Sequence, residues 1–509
     1  MTDRRMETLA APAGLPHASW LSSVPRTVVV GGGIAGLAAA TGLAERGVQV
    51  DVVEREAYLG GRVGGWTEEL DDGSTVTMNR GFHAFFRQYY NLRNLLRRAD
   101  PGLSMLAPAT DYPLVDADGR QDTFRGLPRT PPLNALVFAL RSPTFRLRDL
   151  VRINARAAAP LAAVSVPAIY GLLDDTDAET FLRHINFPDA ARHLAFEVFS
   201  RSFFTEPSEL SAAELATMFH IYFLGSSEGL IFDVAVDDFA IALWNPLRAY
   251  LDSLGVRFHT GVSVESVRRG QEFEVHCDDG SRLTADGVVL ATDTGGLRAV
   301  VDGSPDLGDE PWRRDVAGLR TAAPFTVLRL WLDRPVDADR PAFLGVGGHP
   351  PLDNVSVVDA YEHTAAQWAE RTGGSVLELH AYSAPGNGEE VCKQLVERMH
   401  ELYPETAGAR VVAQRVLRRE DCPRFGPGDF AHRPTVVTPD PGLVLAGDGI
   451  RIDLPVALME RAATTGWVAA NRLLEHYGLG GHPLYSVPTR GRSNTLRRLA
   501  IAGEGQLRT

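Results

Sequence analysis

The chain has 509 residues, enough for roughly two to four domain-sized units. Its composition, 44% hydrophobic and 23% charged, excludes a disordered or fibrous chain, and a formal net charge of −13 excludes a general nucleic-acid binder. Cys277, Cys392 and Cys422 are scattered, odd in number and in no metal-ligand spacing, which argues against a disulfide framework or a metal site and fits a reducing compartment.

Lys393 is the single lysine among 51 basic residues, a bias that gene base composition explains. The first 25 residues carry Asp3, Glu7 and three prolines without a continuous apolar core, so no secretory signal is read there.

In chain order, residues 27–30 predict an apolar strand that runs into Gly31-Gly32-Gly33-Ile34-Ala35-Gly36. An alanine- and leucine-rich helix follows to about residue 46, and residues 48–53 predict a second strand ending on Glu54. Residues 112–246 read as mostly helical with aromatic clusters. The uncharged stretch 157–173 is interrupted by Pro160 and Pro167 and is not expected to span a membrane. A helix near 246–254 precedes strands at 256–259, 272–277, 281–284 and 287–290. Strands recur at 324–332 and 375–382, and residues 389–402 read as a helix. A last strand at 443–445 leads through Ala446-Gly447-Asp448 into a helix from about 456 to 476. The stretch after Gly480 is basic and Gly/Pro/Ser-rich, and reads as a partly disordered tail.

Gly31, Gly33 and Gly36 stand at G-x-G-x-x-G spacing between strand and helix. Gly31 allows the tight turn, Gly33 lets the backbone approach a pyrophosphate, and Gly36 lets helix and strand pack closely. Glu54, at the end of the second strand, offers a carboxylate to both hydroxyls of an adenosine ribose. Just beyond it, Leu59-Gly60-Gly61-Arg62 puts a glycine pair and a guanidinium fork beside the pyrophosphate.

These motifs resemble the flavoproteins that include amine oxidases, carotenoid desaturases and protoporphyrinogen oxidase. Leu445-Ala446-Gly447-Asp448 with Met459-Glu460-Arg461-Ala462-Ala463 resembles their C-terminal flavin motif, although that pattern often has glycine where Arg461 stands. The resemblance implies FAD as cofactor, bound by Gly31, Gly33, Ala35, Gly36, Glu54, Arg55, Gly61, Arg62, Val264, Asp448 and Met459. Asp448 would hold ribityl or pyrophosphate oxygens, Val264 would pair its backbone with adenine, and the last helix N-terminus would face the flavin.

The implied fold class is α/β: a Rossmann-like FAD-binding domain of the GR2/amine-oxidase type with an interleaved mixed α+β substrate domain. The expected boundaries are a flexible N-terminus at 1–25, FAD-binding parts at 26–111, 247–300 and 425–480, substrate-domain parts at 112–246 and 301–424, and a basic tail at 481–509.

Two strings narrow the resemblance. Arg80-Gly81-Phe82-His83-Ala84-Phe85-Phe86-Arg87-Gln88-Tyr89-Tyr90 and Phe219-His220-Ile221-Tyr222-Phe223-Leu224-Gly225 are similar to segments of isorenieratene synthases, the β-carotene desaturase/methyltransferases. Phe203-Phe204-Thr205-Glu206-Pro207 resembles a substrate-domain segment of carotene desaturases.

That resemblance implies a carotenoid substrate of the β-carotene type, whose β-ionone ring loses hydride to flavin, shifts one methyl to the neighbouring carbon, and loses protons until it is aromatic. It also implies no external methyl donor. His83 is the candidate proton acceptor or flavin-edge contact, and Phe82, Phe85, Phe86, Phe219, Tyr222 and Phe223 are candidates for shielding a cation.

Because a carotenoid resides in the bilayer, the chain is expected at a membrane surface, cytoplasmic and peripheral on the inner face of the cell membrane. Residues 130–156 supply a foot there: Arg141, Arg146, Arg148, Arg152 and Arg156 beside Leu136, Val137, Phe138 and Leu140, with one acid, Asp149. The sequence leaves the acceptor that reoxidises the flavin open, with quinone and oxygen both compatible.

Three alternatives stay open at this stage: an acyclic-carotene desaturase or isomerase, an FAD amine oxidase, and a non-catalytic prenyl-binding escort. Many amine oxidases place a lysine on a substrate-domain strand, and the comparable strand at 325–335 has none.

Overall fold

The computed structural model describes residues 3–109, 111–144, 152–189 and 203–491. The valine- and leucine-rich segments form a five-stranded, all-parallel sheet in the order Arg257–Thr260, Gln49–Glu54, Arg26–Val30, Gly287–Leu290, Leu443–Leu445. The central strands have both faces covered, which is why they read as continuous apolar runs rather than alternating ones. Since the strands come from residues 26 to 445, the domain is assembled from segments that the rest of the chain interrupts.

The helix Ile34–Ala44 packs on the helix Leu458–His476 through small residues. A Cβ at Gly466 would lie 2.2 Å from the Ala35 carbonyl oxygen, and one at Gly42 would lie 2.7 Å from the Ala470 Cβ. The two backbones therefore approach closely, and the sequence marks both contacts with glycine and alanine.

The second unit is a seven-stranded mixed sheet in the order Val411–Arg419, Phe325–Leu332, Ser375–Ala381, Asn354–Val357, Phe343–Val346, Leu114–Val115, Gln121–Asp122. The helix Gly388–Leu402 covers it through Val391, Leu395 and Met399. A three-stranded sheet, Phe85–Phe86, Phe232–Ala235 and Leu106–Pro108, lies between the aromatic segments.

Among its described residues, the region 112–246 is mostly helical in its regular elements, as expected, and adds the short strands Leu114–Val115, Gln121–Asp122 and Phe232–Ala235, the first held by Phe343–Val346 of the large sheet. Two expectations are corrected.

The N-terminus is not loose. Glu7–Leu9 pairs antiparallel with Leu484–Ser486, and buried Asp3 accepts hydrogen bonds from Tyr90, Ser226 and Ser227. The start of the basic tail is likewise packed, since Gly491 donates to the Val164 carbonyl at 2.7 Å; residues 492–509 lie outside the described residues. The stretch 157–173 is two short helices, Ala159–Ala162 and Ala168–Leu173, and no helix among the described residues is long and apolar enough to cross a membrane.

Candidate functional site

The two units enclose a cavity of about 500 Å³. One end is built by the glycine turn after Arg26–Val30. Gly31 has φ +107°, and a Cβ there would lie 2.5 Å from the Ala291 carbonyl oxygen. A Cβ at Gly36 would lie 1.9 Å from the Gly31 carbonyl oxygen, so Gly36 shapes the turn from behind without lining the cavity. Gly33 lines the cavity, where a Cβ would lie 3.8 Å from the Gly61 Cα, and it begins the helix Ile34–Ala44 without any side-chain cap. The first amides of that helix thus lack side-chain partners on the cavity side, as an anion site requires.

Glu54 lines the same end. Its Oε2 accepts from the Gly32 amide at 2.6 Å and its Oε1 from the Glu56 amide at 2.8 Å, which fixes the carboxylate plane, while burial pushes its pKa up. Arg55 is turned aside into an ion pair with Asp293 at 2.6 Å. Arg62 pairs with Asp448, residues 386 apart in sequence, and both line the cavity. Val264 lines it beside Val262, whose amide donates to the Glu54 carbonyl at 3.0 Å. Met459 and Ala462 belong to the second uncapped helix N-terminus, that of Leu458–His476. Of the residues expected to hold FAD, only Gly36 stands behind the wall.

Arg461 is wholly buried. It donates to the Val456 carbonyl at 3.0 Å and to Glu214 at 2.7 Å, and Glu214 also accepts from Arg433 at 2.7 Å. Phe425 lies under both guanidiniums, 4.9 and 4.8 Å from its ring centroid. Burial alone would raise the pKa of Glu214, but Arg461 and Arg433 bring it below the ordinary carboxylate value. This triad ties the loop after Asp448 to the helix Ala212–Phe219, and it explains an arginine where the family pattern often has glycine.

The other end of the cavity is aromatic. Phe82 lies 4.4 Å from Phe343 and 6.0 Å, stacked, from Tyr112. Phe232 meets the edges of Phe82, Phe86 and Tyr112. Gly81, with φ +98°, turns the chain so that Phe82 and His83 both reach the wall.

His83 Nδ1 lies 2.8 Å from the Gly81 carbonyl. Burial lowers its pKa to about 4, so the ring is neutral; a carbonyl can only accept, so the proton sits on Nδ1 and Nε2 keeps its lone pair.

Three of the aromatic candidates are placed elsewhere. Phe85 is fully buried against Phe239, and Phe219 and Phe223 stack on each other at 5.1 Å away from the cavity. Phe219 and Phe223 are four apart and share a helix face, whereas Tyr222 sits on the adjoining face of the π-turn His220–Leu224 and does line the cavity. Sequence reasoning missed Tyr112, Phe232, Asp353 and Tyr382 in the wall. It also missed the buried pair Arg80–Asp421. Tyr382 ends an expected strand, which was the one available signal.

The strand Phe325–Leu332 carries no lysine. Its buried Arg329 is paired with Glu362 and Glu378, while Lys393 stands on the outer face of the helix Gly388–Leu402 near Glu397. The foot expected at 130–156 is partly described. The helix Leu133–Arg141 exposes Leu133, Leu136 and Leu140, at 47%, 53% and 59%, and turns Phe138 inward. Phe138 stacks at 4.9 Å on Phe124, which lines the cavity. Arg146, Arg148 and Asp149 lie outside the described residues.

A two-unit α/β protein with a dinucleotide turn, a ribose carboxylate and a second helix N-terminus converging on one cavity is a flavoprotein of the Rossmann type. The family model described as flavin containing amine oxidoreductase matches residues 34–474, and the chain belongs to that family, with FAD as its cofactor.

A carotenoid phi-ring synthase of Streptomyces griseus is 56% identical over 507 residues, covering 99% of this chain and 97% of that protein. A carotenoid phi-ring synthase of Chlorobaculum tepidum is 27% identical, covering 92% of each. The structure of cyclohexylamine oxidase from Brevibacterium oxydans shares the fold with a TM-score of 0.65 at 15% identity, covering 89% of this chain and 100% of that one. The residues present fit FAD: both uncapped helix N-termini, Glu54 and Arg62 face the cavity end that a dinucleotide needs.

Proposed function

We propose that this enzyme converts the β-ionone end rings of a carotenoid into aromatic rings, moving one ring methyl to the adjacent carbon, while docked on the cytoplasmic face of the cell membrane. The observation that carries the reading is the 56% identity, over nearly the whole chain, to a protein named for making an aromatic carotenoid end ring. The chemistry of the cavity supports it.

When bound, FAD supplies the two-electron acceptor for ring hydrogens. The chain's own part is to hold the ring, exclude water and accept protons. A ring that has lost hydride is a cation, and a gem-dimethyl carbon beside it passes a methyl across by a 1,2-shift. Phe82, Phe86, Tyr112 and Phe232 offer ring faces and edges that stabilise such a charge without attacking it. They also keep out the water that would capture it. His83 presents a neutral Nε2 lone pair; although burial makes it a weak base, a ring cation is acidic enough to yield a proton to it.

The exposed leucine stripe Leu133, Leu136 and Leu140 supports membrane docking, because the inward face of the same helix packs on the cavity wall through Phe138 and Phe124. A carotenoid leaving lipid there need not cross water, where each exposed methylene costs about 0.8 kcal/mol.

Expression in β-carotene-producing cells, followed by mass and absorption of the pigment, tests the reading. Loss of four hydrogens per converted ring at constant carbon count is expected. Unchanged β-carotene would reject it, and desaturation of acyclic carotenes instead would favour an acyclic-carotene desaturase.

A further inference from the structure

The cavity wall carries a hydroxyl that none of the roles above uses. Tyr382 directly follows the strand Ser375–Ala381, meets Phe204 edge-on at 5.4 Å, and lines the cavity. Its hydroxyl lies 2.8 Å from His380 Nδ1, and His380 Nε2 lies 2.7 Å from Oε1 of Glu378. His380 and Glu378 are buried to 0% and 1% side-chain exposure. Oε2 of Glu378 accepts from Arg329, whose Nε is 2.9 Å away, and Arg329 is held in turn by the Thr77 carbonyl and Glu362.

With His380 in its neutral form, the direction of every hydrogen in this chain follows. Burial would push the Glu378 pKa up, but the Arg329 guanidinium beside it and the hydrogen bond from His380 hold it low, so Glu378 is a carboxylate and can only accept. His380 therefore donates from Nε2. The Phe82 amide, 3.5 Å from that nitrogen, is too distant to compete with a carboxylate at 2.7 Å. In the neutral ring Nδ1 is then the lone pair, and Tyr382 donates its O–H to it. Burial raises the Tyr382 pKa well above that of an ordinary phenol, so this cavity-lining residue carries a neutral hydroxyl. A neutral phenol does not capture a carbocation as an exposed carboxylate would.

Resting on the ring-aromatising reading above, we propose that Tyr382, His380 and Glu378 form a proton-accepting relay for the carotenoid ring, with Tyr382 the catalytic residue and His380 and Glu378 its positioning partners. The step starts from the ring cation left by hydride loss. A ring C–H bond breaks and its electron pair becomes the ring C=C bond. The proton goes to the Tyr382 oxygen while Tyr382's own proton passes to His380 Nδ1, and the imidazolium rests against the Glu378 carboxylate. When product leaves, the proton returns through Tyr382 to entering water. Two protons leave each ring, so the relay works beside His83 rather than instead of it. The logic is that of a hydroxyl–imidazole–carboxylate triad run as a base, with phenol in the place of a nucleophile.

The test uses the FAD-loaded enzyme and β-carotene in phosphatidylcholine vesicles, timing aromatic pigment in H₂O and D₂O, with FAD content as the check on folding. Tyr382→Phe should keep FAD, slow ring aromatisation by about 30-fold or more, and abolish the solvent isotope effect that the moving phenolic proton gives the wild type. His380→Gln should do the same, and the double variant should be no slower than either single one. 3-Fluorotyrosine at 382, which keeps the hydroxyl and the shape, should restore the isotope effect, and it carries the test should Tyr382→Phe lose FAD. A Tyr382→Phe enzyme that aromatises at the wild-type rate with the wild-type isotope effect would overturn the relay alone. A wild-type enzyme that leaves β-carotene unchanged would overturn the functional reading and the relay with it.

Discussion

Removing the charge of Glu214 is the most informative perturbation of the scaffold. Glu214 is the only carboxylate hydrogen-bonded to either Arg433 or Arg461 among the described residues, and the side chains are 0%, 4% and 4% exposed. Glu214→Gln keeps the shape but leaves two buried guanidinium ions without a counter-charge, which costs about 3–5 kcal/mol. That is a loss of roughly 150- to 4,000-fold in the folded-to-unfolded ratio. The comparison is Glu310→Gln, where Arg314 and Glu310 are 69% and 83% exposed and loss of the pair should change stability by less than about 0.5 kcal/mol.

Denaturant unfolding followed by far-UV dichroism gives both values. Because Arg461 also holds the Val456 carbonyl in the loop between Asp448 and the helix Leu458–His476, Glu214→Gln should weaken FAD retention as well. The sign with pH follows from the depressed pKa of Glu214: its contribution is complete above the ordinary carboxyl range and disappears as pH falls through its folded value. The gap between wild type and variant should therefore shrink in acid. Equal stability of Glu214→Gln and Glu310→Gln at pH 7 would refute the reasoning.

Gly36→Ala should abolish FAD binding, since its Cβ would lie 1.9 Å from the Gly31 carbonyl oxygen; flavin content after purification reads this directly. Replacing Leu133, Leu136 and Leu140 together by glutamine should release the protein from lipid vesicles in a sedimentation assay while leaving FAD content unchanged, and unchanged sedimentation would reject that helix as the membrane foot. With a His83 pKa of about 4, roughly nine-tenths of the residue is neutral at pH 5, against about 3% for an ordinary histidine. In the His380→Gln variant, whose remaining conversion relies on His83, the rate in short assays should accordingly persist at pH 5 and fall only toward pH 4, and loss of that rate between pH 7 and pH 6 would show that His83 is an unperturbed histidine.

The dinucleotide end of the site was legible because its parts are local. A strand, a three-glycine turn, a helix and Glu54 lie within 30 residues, and each residue type answers one steric or charge requirement. The remote Asp448 and Met459 could be paired with it only because the C-terminal motif is itself compact, with Arg62 pointing to the same phosphate end. Glu214, Arg433 and Arg461 were not legible as a unit: the arginines lie 219 and 247 residues from the glutamate, in no motif, and buried charge leaves no signal until the fold supplies the counter-charge. The aromatic strings marked the right segments but not the right faces. Phe219 and Phe223 turn away while Tyr222 turns in, because a π-turn follows the helix Ala212–Phe219 and shifts its phase. The pairing of Glu7–Leu9 with Leu484–Ser486 joins the two ends of the described chain through three-residue strands too short to show alternation.

The central claim is that ring aromatisation proceeds by methyl migration within one carotenoid molecule. It is tested most directly by giving the purified FAD-loaded enzyme β-carotene labelled with carbon-13 in the gem-dimethyl groups and locating the label in the product by NMR. The account predicts an aromatic end ring in which one labelled methyl has moved to the adjacent ring carbon and none has been lost. An aromatic product lacking one labelled methyl, or labelled β-carotene recovered unchanged, would contradict it.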